Sequence, residues 1–321
     1  MSHMIEIKNL VKKYGNNYAV NDISFTVDSG EIVGFLGPNG AGKTTTMNIL
    51  TGYLSATSGE AKIAGIDILE NPMEAKKHIG FLPEHPPLYL DMTVKEYLGF
   101  VYDLKKCTLG KKKHLEEICD VMKISHVFKR PIAHLSKGYR QRVGIAQALI
   151  GNPDILILVG PTVGLDPKQI IEIRNLISSL GKKHTIILSS HILPEVQAVC
   201  DRVVIINKGE IVADRKTDEL SVLTGARKHI AKITGEPDNV VNLVSGITGV
   251  VSCEKLDMKD GDAYSYIVES QSDSDIRKML FKKIAENGLY MIGLEPVGAN
   301  LEDVFITLVN NTDNIEEEEE K

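Results

Sequence analysis

The sequence predicts a two-part chain: an α/β domain built on a largely parallel sheet, followed by a small α+β domain. Three observations predict it. Strand-like apolar runs alternate with helical stretches over residues 4–84 and again over 151–220, which calls for a sheet covered on both faces. Residues 85–150 between them carry lysine-rich helical patterns with few strand signals, and so read as a helical subdomain. From about Val222 the order becomes βαββαβ, the ferredoxin-like pattern.

In chain order, "IEIKNLVKKY" (5–14) and "DISFTVDSGEIVGFLG" (22–37) read as strands, followed by a helix from Lys43 and by strands in "GEAKIAGIDI" and "IGFLPE". Helical periodicity runs through Val94–Leu104, Leu115–Lys123 and Val143–Ile150. Alternation resumes with strand "DILIL", helix Pro167–Leu180, strand "HTIILSS", helix Leu193–Cys200 and strand "RVVIINKG". The small domain (222–311) reads as strand His229–Ile233, helix Pro237–Gly246, strands Val250–Leu256 and Tyr264–Glu269, helix Ser274–Asn287 and strand Met291–Val297. A Lys259-Asp260-Gly261-Asp262 turn joins its central hairpin, and a short amphipathic segment, Leu301–Val309, closes it. The first domain spans 4–220, and residues 312–321 form an acidic tail, read as a solvated, disordered end.

The 321 residues suffice for about two domains. Net charge is −6, of which Glu316–Glu320 with Lys321 supply −4, so the body offers no nucleic-acid footprint. No apolar run approaches the ~18 residues of a membrane span, and the start has no signal-peptide pattern. A membrane role is therefore expected through a partner. Cys107, Cys119, Cys200 and Cys253 have neither metal nor disulfide spacing, which suits a reducing cytosol. Met1-Ser2-His3-Met4 reads as a cloning remnant, with Met4 the natural start.

The strongest chemical signal is "GPNGAGKTT": Gly37, Pro38, Asn39, Gly40, Ala41, Gly42, Lys43, Thr44 and Thr45. It follows strand Ile32–Leu36 and opens helix Thr44–Leu50, the context a phosphate loop requires. Its glycines let backbone N–H groups converge on phosphate oxygens. Lys43 offers a point charge to the β- and γ-phosphates, and Thr44 a hydroxyl to magnesium. In "LSKGYRQR", Ser136, Lys137 and Gly138 sit where a helix begins and hydroxyl and amides can meet an anion, although taken alone an ordinary N-cap is the better explanation.

Taken in order, Tyr14, the phosphate loop, "LPEHPPLY", "LSKGYRQR", a buried strand, "GLDP" and "SSHIL" resemble the nucleotide-binding domain of ATP-binding cassette (ABC) transporters over residues 4–220. The likeness is strongest to the ATP-binding subunits of bacterial exporters of the antibiotic-resistance and gliding-motility kind. The resemblance implies a P-loop NTPase cassette that binds ATP and ADP with Mg2+, pairs head to tail with an identical or different cassette, and drives a polytopic membrane permease. It would then lie in the cytoplasm against the inner face of the cell membrane. Tyr14 matches the aromatic that stacks on adenine. Glu84 stands where the family usually has a glutamine that reaches magnesium, and a carboxylate can still ligate it. The segment His85–Leu98 would face the permease. Asp166 matches the loop that crosses the dimer interface, although an N-cap before Pro167 is fully compatible. His191 matches the switch histidine at the γ-phosphate. Lys137 and Tyr139 depart from the usual Leu-Ser-Gly-Gly-Gln signature, which retains Ser136 and Gly138.

Two departures weigh more. Where the family's Walker B strand ends in aspartate then glutamate, this chain has Val159 and Gly160. Those carboxylates orient the magnesium shell and polarise the attacking water, so the resemblance implies ATP binding with impaired hydrolysis. An introduced change (one base per residue), a degenerate subunit beside a competent partner, and a non-hydrolysing nucleotide sensor all remain open here. A soluble ABC protein acting on ribosomes or DNA is disfavoured, because such chains tend to carry two cassettes or long coiled coils.

Overall fold

The computed structural model describes residues 3–220, 226–271 and 275–297. They form two compact units that divide between Thr217 and Asp218. The first opens with strands β1 (His3–Tyr14) and β2 (Asn17–Asp28). The two-residue turn between them makes the pair antiparallel, since a parallel crossover needs a dozen residues or more. Strand β3 (Ile32–Leu36), helix α1 (Lys43–Leu50), β4 (Ser58–Ile63), β5 (Ile66–Asp67), short helix α2 (Pro72–Ala75) and β6 (Ile79–Leu82) follow. Three helices come next: α3 (Val94–Leu104), α4 (Lys111–Val121) and α5 (Lys137–Leu149). The unit then runs through β7 (Ile155–Val159), α6 (Pro167–Gly181), β8 (Thr185–Ser190), α7 (Leu193–Gln197), β9 (Arg202–Asn207) and β10 (Glu210–Lys216), and the division falls after the first residue of the short α8 (Thr217–Leu220).

Two sheets result. The larger has order β10-β9-β3-β8-β7-β6, and its five strands from β9 to β6 run parallel. Every residue of β3, β7 and β8 is buried, as expected of strands covered on both faces. The second sheet, β2-β1-β4-β5, is antiparallel. Its inward residues, among them Ile5, Ile7, Val20 and Phe25, share one apolar core with Met47, Phe35, Ile157 and Ile206. The expectation of a largely parallel sheet is thus met by β3 and corrected for β1, β2, β4 and β5, where tight turns make the β1–β2 and β4–β5 pairs antiparallel. Strand β10, not anticipated from sequence, adds an antiparallel edge.

Helix ends follow local chemistry. Thr93 and Glu96 form a reciprocal capping box at α3, with Thr93 N–H donating to Glu96 Oε2 at 2.8 Å and Glu96 N–H to Thr93 Oγ1 at 3.2 Å. Helix α5 begins at Lys137, six residues before the apolar run at Val143. Its first two turns are polar in sequence, although Gln141 and Arg142 are buried.

A charged junction ties the first unit's sheets together. Arg202 on β9 donates to Glu31 (2.7 Å), to Asp214 on β10 (2.5 Å) and to the Thr26 carbonyl on β2. Its side chain is 18% exposed. Removing the guanidinium leaves two carboxylates facing each other with little water, so Arg202→Ala is expected to cost about 3 kcal/mol, the low end for breaking a buried pair. A lowered urea midpoint at unchanged slope checks this.

The second unit comprises β11 (Ala226–Thr234), α9 (Pro237–Ser245), β12 (Val250–Asp260), β13 (Ala263–Gln271), α10 (Arg277–Glu286) and β14 (Met291–Val297). Its sheet is antiparallel, in order β12-β13-β11-β14. Ala231, Ile233, Tyr266 and Val268 pack against Val240 and Val244 of α9 and Leu280 and Ile284 of α10. Leu301–Val309 and the acidic tail lie outside the described residues.

Candidate nucleotide-binding site

Four segments leave the carboxyl ends of neighbouring parallel strands: the loop after β3, Glu84 after β6, Gly160 after β7 and His191 after β8. In open α/β sheets this end is where ligands bind. The segments converge on one cavity of about 260 Å3. From the loop it is lined by Asn39, Gly40, Gly42, Lys43, Thr44 and Thr45, and opposite them by Glu84, Val159, Gly160 and His191.

Gly42 sits at the start of α1 with φ +106°, and a Cβ there would lie 2.4 Å from the Ala19 carbonyl. Only glycine fits, and the first turn of α1 thereby opens its N–H groups toward the cavity. The Lys43 ammonium donates to the Gly37 and Pro38 carbonyls at 2.7 and 2.8 Å, which arches the loop around it. Burial lowers the Lys43 pKa from its ordinary value, and the Glu84 charge opposes that shift. Ala41 is buried beneath the loop.

Val159 closes β7 and is buried. The Gly160 N–H donates to the Ser189 carbonyl at 2.8 Å, and its φ of +53° lies in the left-handed region. A Cβ on Gly160 would meet Val163 Cγ2 at 2.8 Å and Glu84 Cγ at 3.6 Å. Among the described residues, Glu84 is the one carboxylate in the lining.

A family profile described as ABC transporter matches residues 20–163. The bacitracin transport ATP-binding protein BcrA of Bacillus licheniformis is 34% identical over 312 residues, covering 96% of this chain and 98% of its own. The chain belongs to the ABC transporter ATP-binding proteins. The linearmycin resistance ATP-binding protein LnrL of Bacillus subtilis (strain 168) is 31% identical, over 96% of this chain and 99% of its own. A solved ATP-binding subunit of an ABC transporter superposes with TM-score 0.63 at 29% identity, covering 69% of this chain and 93% of that one. A dimeric bacterial ABC transporter cassette gives 0.61 at 28%, over 67% and 99%.

In this ABC cassette, three of the sequence-predicted groups lie apart from the nucleotide loop. Gly138 and Asp166 line a second cavity of about 620 Å3 between α5 and α6. Asp166 caps α6, accepting the Gln169 N–H at 2.9 Å, and Ser136 caps α5 from the Tyr139 N–H at 3.5 Å. Lys137 is the first residue of α5. Tyr14 ends β1, half-exposed and outside both cavities. Sequence reasoning missed Ala19, Val163, Ser189 and Ser190, which also line the cassette's 260 Å3 cavity. Ser189 and Ser190 were visible in "SSHIL", whereas Ala19 arrives from the antiparallel hairpin and has no sequence signal. It also missed the second cavity's His126–Tyr139 wall, with the rings edge to face at 5.3 Å.

Proposed function

We propose that this ATP-binding subunit powers an exporter of antibiotic-like compounds, closing head to tail on a second cassette around ATP and moving a separate polytopic permease. What supports the substrate class most is similarity over the whole chain, small domain included, to subunits named for bacitracin transport and linearmycin resistance. Tyr14 stacks on the base, Gly37–Thr45 hold the phosphates, and His191 reads the γ-phosphate. Ser136, Lys137, Gly138 and Asp166 serve the partner's nucleotide across the dimer. Thr44 and Glu84 share the cavity and supply the oxygen donors magnesium prefers, so the residues fit the ion. Bound magnesium offsets phosphate charge. The strand order of the second unit supports a ferredoxin-like domain, which stabilises or regulates the dimer.

With Val159 and Gly160 in place of carboxylates, hydrolysis is slow. Gly160 supports a reading as a settled rather than a merely damaged position: its φ suits glycine, and Val163 packs where a Cβ would point. One arrangement compatible with it is a degenerate subunit beside a competent partner, whose active site this chain's signature completes.

The permease seat is an apolar groove of about 550 Å3, with Tyr53, Phe81, Pro87, Tyr89, Phe100 and Leu104 in its walls. Tyr53 and Leu104 are 83% and 68% exposed, more apolar surface than a solvated face needs. Among the described residues no helix is long and apolar enough to cross a membrane, so attachment rests on this groove. Affinity purification from membranes is expected to recover a polytopic membrane protein, and Leu104→Asp to lose it. Recovery of ribosomes instead overturns the exporter reading.

A further inference from the structure

The Tyr14 ring stands at the end of β1 and is 52% exposed. Two residues earlier, on the same side of the strand, Lys12 holds its ammonium over that ring, 5.2 Å from the centroid. This is within the ~6 Å reach of a cation–π contact. The ammonium is not free to wander. It donates to the Ser55 carbonyl at 2.8 Å, in the segment that leaves the phosphate-loop helix. Two further bonds stitch the same places together: Lys13 N–H to Thr57 Oγ1 at 3.0 Å and Thr57 N–H to the Val11 carbonyl at 2.8 Å.

An exposed tyrosine loses rotamer freedom when a planar ligand settles on it. A tethered cation on one face has already restricted the ring, and preorganisation of this kind lowers the cost of binding. We propose that Lys12 is a positioning residue for the nucleobase: anchored to Ser55, it covers one face of Tyr14 and presents the opposite face to the base. The inference rests on the reading that Tyr14 stacks on the nucleotide. It concerns the base half of the ligand only, because the ammonium is engaged by Ser55 and Tyr14 and leaves the phosphates to Lys43.

Calorimetric titration of the full chain with Mg-ATP and, separately, with inorganic tripolyphosphate tests it. Lys12→Met is expected to weaken ATP about two- to fivefold, the equivalent of one exposed cation–π contact, and to leave tripolyphosphate affinity unchanged. Lys12→Arg retains ATP affinity. In a Tyr14→Ala background, Lys12→Met has no further effect on ATP. Undiminished ATP affinity in Lys12→Met, beside a weakened Tyr14→Ala, overturns the proposal alone, as does equal weakening of ATP and tripolyphosphate. Full ATP affinity in Tyr14→Ala overturns the stacking reading beneath it.

Discussion

Val159→Asp combined with Gly160→Glu is expected to raise Mg-ATP turnover of the purified chain about 10²–10⁴-fold, the contribution of a positioned general base. Phosphoryl transfer depends on placement and charge stabilisation rather than on covalent help, and positions 159 and 160 both line the cavity. Gly160 shares it with Lys43, Thr44 and His191, and its backbone is fixed by the bond to Ser189. The new aspartate would project from the end of a fully buried strand, where its position is well determined. The gain has a structural cost. A side chain at φ +53° carries roughly 1–2 kcal/mol of strain, and Val163 Cγ2 must rotate away from the incoming Cβ. The faster variant is therefore expected to melt about 2–8 °C lower. Equal turnover by the parent and the double variant would mean that the water is activated elsewhere, and would sink the assignment of positions 159 and 160.

Lys43→Ala is expected to weaken Mg-ATP binding by about 30-fold or more, the effect of deleting one partner of a desolvated charge pair. The ammonium reaches two carbonyls of its own loop at 2.7 and 2.8 Å, so it is aimed into the arch that phosphates would enter. Burial already disfavours its charge, and a polyanion is the group that reverses this preference. Lys43→Arg should restore little, since a planar fork cannot reproduce a point donor inside that arch. Titration calorimetry reads the loss, and an unchanged urea midpoint would show that the cradle still folds. Undiminished binding in Lys43→Ala would remove the loop from the nucleotide site.

The phosphate loop was legible because its chemistry is local: nine consecutive residues, Gly37–Thr45, contain the turn, the charge and the helix start. Glu84, Gly160 and His191 were legible only through the ordered motifs that resemble the ABC family, and each follows a parallel strand of the larger sheet. What escaped depends on distant pairing. Nothing in "NNYAV" announces that Ala19 will close the loop's flank, because that contact is made by the hairpin folding over α1. The start of α5 was legible in Ser136–Gly138, whereas the burial of Gln141 and Arg142 was not, because tertiary partners supply it. The antiparallel sheet was missed because alternation shows that strands exist but not which neighbour they take.

Arg142, on α5, donates one guanidinium nitrogen to the Met122 carbonyl just after α4, and the other to Glu172 on α6 at 2.6 Å. Gly138 at the head of α5 packs so closely on Gln169 of α6 that a methyl group between them would stand 2.7 Å from the amide. The two loops that open these helices, one ending in Ser136 and the other in Asp166, are thus mounted on a single strut. A displacement of α5 would therefore be expected to carry both tips, as with two prongs on one handle.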